Sequence, residues 1–192
     1  MSAIVRVYDN YLQAKTVVAN LESAGVPSND ISLVANKNVS SEHATVANAS
    51  EAGPGAGLGA AMGGGAGLLA GLGIMAIPGI GPVVAVGWLA STALGALAGA
   101  TAGGLIGAMV DSGVPEENAH VYSEAVRRGG TLVTVRTTTV ADAKVAAIMD
   151  EAEPIDAHER RNNYIREGWT KYDPAAPDYS PIDADTEKMR RS

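Results

Sequence analysis

Between Ala52 and Val110 the chain carries no Asp, Glu, Lys, Arg or His. Such a stretch is either packed away from water or a flexible linker, and the rest of the chain must arrange itself around it. Glycine recurs through it on a fixed step. Gly55, Gly59, Gly63, Gly67 and Gly71 are four apart, and Gly95, Gly99, Gly103 and Gly107 repeat the spacing. On a helix an i+4 repeat stays on one slowly drifting stripe, and a glycine stripe is a groove that admits a second backbone. Between the two runs lies Pro78-Gly79-Ile80-Gly81-Pro82, where Pro78, Gly79, Gly81 and Pro82 supply turn chemistry. The expectation is a helical hairpin over residues 53–111, zipped along its glycines and zipping onto copies of itself. Each Gly costs roughly 0.8–1 kcal/mol in a helix relative to Ala, so these helices need packing or lipid to form. A Gly/Ala linker is the plainer reading, but linkers are Ser-rich and polar, whereas this block holds Leu68, Leu69, Ile74, Ile77, Val83 and Val84.

The 192 residues allow one domain plus an insert and a tail. There is no Cys, hence no disulfide framework and no thiolate metal site. A net charge of −7 and the absence of Phe argue against nucleic acid as a partner, which needs clustered cations and stacking platforms. MSAIVRVYDN has no basic segment leading into an apolar run, so no signal peptide is expected.

Outside the block the pattern is α+β. Ala3 to Tyr8 is β-branched and reads as a strand. Asp9 or Asn10 can cap the helix that follows, whose apolar face is Ala14, Val17, Val18, Leu21 and Ala24, with Gly25 and Pro27 ending it. Ile31 to Ala35 is a second strand, so residues 1–36 form a βαβ unit, normally parallel. Residues 37–52 are a polar linker. After the block, residues 112–153 read as helix, strand and helix. Pro115, Glu116 and Glu117 open the first helix, Arg127 and Arg128 close it, and Thr131 to Thr137 is the strand. Thr139 with Asp142 resembles a capping box for the last helix, faced by Val145, Ile148, Met149 and Ala152. The expected head is a three-stranded sheet with helices. Residues 154–192 read as a tail with a short helix at His158 to Glu167 and with Tyr164, Trp169, Tyr172 and Tyr179 as anchors.

YDNYLQAKTVVANLESAGVPSNDISLVA, AIPGIGPVVAVG and SGVPEENAHVYSEAVRRGGTLVTVRT together resemble the bacterial general stress protein 17M-like (low-temperature-induced) family. The resemblance covers about residues 3 to 152, and EGWTKYDP resembles a segment that some members carry beyond the domain. It implies a stress-induced bacterial protein and brings no catalytic motif.

No constellation points to an enzyme. Gly65-Ala66-Gly67-Leu68-Leu69-Ala70 fits a loose dinucleotide pattern, but the glycines continue through a helix and no acid appears before Asp111. No Gly-Lys-Ser/Thr and no nucleophile elbow occur. His43, His120 and His158 are scattered, with Asp156 and Glu159 near the last, short of a zinc set. Glu116-Glu117 and Asp150-Glu151 read as helix-end charges. Neither a catalytic residue, a cofactor nor a metal is expected.

Gly57 to Ile77 and Val83 to Val110 are each long enough to span a bilayer, which takes roughly 20 residues. The nearest charges, Glu51, Asp111, Glu116 and Glu117, are acidic, and the nearest basic residues are too far off to anchor a span. The expected function is a non-catalytic, stress-associated scaffold that self-assembles through the hairpin, in or on a membrane or as a soluble homo-oligomer. The alternative is a membrane-tethered module that senses a small ligand. The expected partners are the chain itself and a lipid membrane. The expected place is the bacterial cytoplasm or the cytoplasmic face of the inner membrane, with both termini cytoplasmic.

Overall fold

The computed structural model describes residues 3–36, 73–77, 80–88, 104–137 and 140–176. The strands are β1 (Ala3–Tyr8), β2 (Ile31–Asn36), β3 (Gly73–Ile77), β4 (Gly81–Val86) and β5 (Thr131–Arg136). The helices are α1 (Tyr11–Ser23), α2 (Gly104–Asp111), α3 (Glu116–Arg127), α4 (Asp142–Asp150) and α5 (Ala157–Arg166). The class is α+β, built on one five-stranded sheet of order β1-β5-β2-β4-β3 in which every neighbouring pair is antiparallel.

Two expectations change here. The β1-α1-β2 unit is split: β1 and β2 run the same way but do not touch, because β5 lies between them, antiparallel to both. Antiparallel pairing is slightly the more stable per residue, and the β-branched TLVTVR supplies a strand that is buried from Thr131 to Val135. The sheet also has five strands where three were expected. The extra two come from the uncharged block, where residues 73–77 and 83–86 are expected to be helical and Gly81 and Pro82 to belong to the turn. They form a β-hairpin instead, reversing where Ile80 N–H donates to the Ile77 carbonyl at 3.0 Å.

The reason is local. Ile77, Val83 and Val86 prefer an extended, half-buried backbone, and β2, which pairs on one side with β5, needs a partner for its other edge. β4 supplies it from Val83 to Val86. Pro82, which has no N–H to give, lies just before the first position paired to β2. The spans Gly57 to Ile77 and Val83 to Val110 are therefore each interrupted by a strand, and no helix among the described residues is long and apolar enough to cross a membrane.

The sheet is covered on both faces. α1 and α4 pack Val17, Leu21, Val145 and Met149 against Leu33, Val133 and Val135 on one side. α2 and α3 pack Met109, Tyr122 and Val126 against Val7, Val34, Val83 and Leu132 on the other. Asn10 caps α1, its side chain accepting from Gln13 N–H at 2.9 Å. α4 begins after Ala141 with no side-chain cap at that residue; Thr139, expected to pair with Asp142 in a capping box, lies outside the described residues. The paired Ala-Gly-Val-Pro and Ser-Gly-Val-Pro sequences do one job twice. Gly25 and Gly113 both take positive φ, and Val26 and Val114 donate back to Leu21 and Met109 at 3.0 Å, the same helix stop.

Candidate functional site

Of the residues expected to mediate self-association, Gly107 lies among those described; Gly55, Gly59, Gly63, Gly67, Gly71, Gly95, Gly99 and Gly103 lie outside them. Gly107 sits in α2, the last part of the uncharged block. Leu105, Ala108 and Met109 of that helix enter the core, while Ile106 is half-buried and Val110 exposed. Among the described residues, a Cβ added at Gly107 would meet nothing within 4 Å. Of the turn residues, Pro78 and Gly79 lie outside the description, and Gly81 and Pro82 open β4.

The second feature is the joint between α3 and the segment after α4. Glu124 is 2 % exposed. A carboxylate so deep needs compensation, and it has two guanidinia: Arg127 Nη1 at 3.1 Å and Arg128 Nε at 2.7 Å. Arg128 lies over the Tyr164 ring at 4.1 Å and also pairs with Glu167. Tyr164 meets Trp169 edge-on at 5.6 Å.

α5 is held from its start. Asp156 caps it through Glu159 N–H at 2.7 Å, Ile155 N–H donates to the Val7 carbonyl at 2.7 Å, and Arg160 reaches Asp9 at 2.7 Å. Of the expected tail anchors, Tyr164 and Tyr172 are buried and Trp169 half-buried; Tyr179 lies outside the described residues. The segment from Ile155 to Tyr172 thus belongs to the packed body, not to an extended tail.

Between α5 and the Asp9 turn lies a cleft of about 450 Å³ whose polar lining includes Asp9, Arg128, Arg160, Asn163, Arg166 and Glu167. Burial pushes the Tyr164 phenol up to about 12, against the opposing pull of Arg160 and Arg128. Its ring is a platform for the Arg128 guanidinium. The arrangement ties helices together with matched charges.

Three of the four acids weighed for chemistry face a basic side chain. Glu116 faces His120 at 3.8 Å, Glu117 pairs with Arg161, and Asp150 pairs with Arg6 at 2.7 Å. Among the described residues no group of three His, Cys, Asp or Glu is placed to hold a metal ion. Glu124 was missed in the sequence, although its position was a signal. It falls between Tyr122 and Val126 on the buried side of an amphipathic helix, with arginines three and four residues on.

The chain is thus an α+β protein with a buried charged latch and an uncharged insert. Residues 3–75 match the family model of the heat induced stress protein YflT domain, over β1, α1, β2 and the first residues of β3. This N-terminal part is similar to a heat-induced stress protein domain, consistent with the general stress protein resemblance, of whose three segments the first, Tyr8 to Ala35, lies within the match. No curated protein and no solved structure matched the chain.

Proposed function

We propose that the protein is a non-catalytic, stress-associated scaffold whose subunits join through the uncharged Gly/Ala block, in or on a membrane or as a soluble homo-oligomer. The observation that carries this is that, among the described residues, a Cβ at Gly107 would meet nothing within 4 Å. The four-residue glycine repeat runs out at this residue, in a helix with an exposed valine one turn away, so a neighbouring backbone would find room there. The strands β3 and β4 support the reading further, since they fix the block's middle to the sheet. Light scattering without detergent tests it. The wild-type chain is expected to form particles well above monomer size, and Gly63→Leu or Gly99→Leu is expected to shrink them by filling the groove. A clean wild-type monomer overturns the reading.

The arginine-lined cleft favours a second reading, a tethered module that binds a small ligand. A thermal-shift screen of nucleotides and metabolites on the full chain distinguishes it. A ligand that raises Tm for the wild type but not for Arg160→Ala favours sensing, and silence across the screen counts against it.

A further inference from the structure

At the edge of the sheet formed by β1, a cleft of about 430 Å³ opens between α3 and the end of α4. α3 supplies Asn118 and Tyr122, four residues apart and so on one face of the helix. β1 supplies Arg6, α4 ends at Asp150, and the cap and first turn of α5 supply Asp156 and His158. Sites for small molecules run from about 300 to 1,000 Å³.

Tyr122 sets this cleft apart. It is 8 % exposed and its ring belongs to the core, yet its hydroxyl has no hydrogen-bond partner among the described residues. Tyr8, also buried, donates its hydroxyl to the Met149 carbonyl at 2.8 Å. Buried phenols ordinarily find such a partner, so the Tyr122 hydroxyl is left to whatever fills the cleft. The Asn118 amide, on the same helix face, also has no partner among the described residues.

The charges here are already matched. Arg6 donates to both oxygens of Asp150, at 2.7 and 3.4 Å, and Asp156 accepts from Glu159 N–H at 2.7 Å. What the lining still offers is a hydroxyl, an amide, an imidazole and spare carboxylate lone pairs, which are donors and acceptors together. An anion would meet the carboxylates of Asp150 and Asp156. A simple cation would use only the acceptors and leave the donors unmet. A hydroxyl group both donates and accepts, and several of them on one small frame match this lining.

We propose that the cleft binds a neutral polyhydroxylated small molecule, a sugar or an open-chain polyol, and that the Tyr122 hydroxyl and the Asn118 amide are the contacts that select it. The site lies apart from the three arginines of the other cleft, and it needs no self-association.

Saturation-transfer NMR on the full chain tests this. It reads the ligand's own signals, so it serves for a monomer or a large particle. The probes are glucose, ribose, sorbitol and glycerol, with inorganic phosphate and putrescine as the competing classes. All are held well below the concentrations at which polyols stabilise proteins by exclusion from the surface. At least one sugar or polyol is expected to show saturable transfer. Tyr122→Phe removes one oxygen and keeps the ring, and is expected to weaken binding about fivefold. Its Tm is expected to stay level, because no hydrogen bond within the protein is lost. Asn118→Ala, a second variant at a half-buried position, is expected to weaken binding by a similar factor. Arg160→Ala is expected to leave it unchanged.

Four outcomes overturn the proposal. One is the absence of saturable transfer from every sugar and polyol. Another is binding that survives both Tyr122→Phe and Asn118→Ala. A third is phosphate or putrescine binding that is lost in those variants while the polyols stay silent. The last is binding lost in Arg160→Ala alone, which places the ligand in the arginine-lined cleft and leaves the tethered-module reading standing.

Discussion

Single residues carry the tightest constraints in this fold. Gly87 follows β4 with φ +91, and a Cβ there would lie 2.2 Å from the Ile31 carbonyl oxygen and 2.7 Å from Ser32 Cα. Both neighbours are backbone of a central strand and cannot step aside. Gly87→Ala is expected to cost about 3 kcal/mol or more, combining a strained backbone with overpacking. Gly113 has a similar φ of +96 but nothing within 4 Å among the described residues, so Gly113→Ala should cost only the backbone term, about 1–2 kcal/mol. Urea midpoints for the two variants check the difference; equal losses would mean that the contact at Ser32 gives way.

The tyrosines supply a second residue-scale expectation. Burial raises the phenol pKa of Tyr8, Tyr11, Tyr122, Tyr164 and Tyr172. A phenol whose folded value exceeds its unfolded value, near 10, contributes stability that is complete below that pH. The contribution is lost as pH rises through the folded value, about 12 for Tyr164. The urea midpoint should therefore hold steady up to about pH 10 and then fall, with phenolate absorbance appearing together with unfolding.

Among the elements, legibility followed the strength of the local pattern. β1, α1, β2, α3, β5 and α4 could be read because each has one clear period and a capping or turn signal at its ends. Gly25, with Pro27 behind it, marks a helix stop by residue type alone. β3 and β4 were hidden because a glycine repeat that continues on both sides of them suggested helix throughout. The residues themselves, GIMAI and GPVVAV around a Pro-Gly turn, carry the β-branched side chains of a hairpin, but a long window outweighed a short one. The antiparallel placement of β5 was not readable either, since strand order depends on which edges remain to be covered, not on local propensity. At the latch, Tyr164 and Tyr172 stood out by residue type, whereas Glu124 was masked by its charge.

One prediction belongs at this scale. Ile77, Ile80, Val83, Leu105 and Met109 are all buried in the core, so residues 53–111 are not a removable insert. A chain lacking them is expected to lose its cooperative thermal transition. If it melts as sharply as the full protein, β3, β4 and α2 are dispensable.

For the molecule as a whole, the strand that bridges β1 and β2 comes late. β1 and β2 both lean on β5, and β5 ends at Arg136. During synthesis, therefore, every residue of the uncharged stretch leaves the ribosome before the sheet that holds its middle has been bridged. Apolar segments left waiting in this way are prone to stick to one another. Heat lengthens the list of other exposed chains they meet, so the nascent form of this protein is expected to have its greatest need of a chaperone at high temperature.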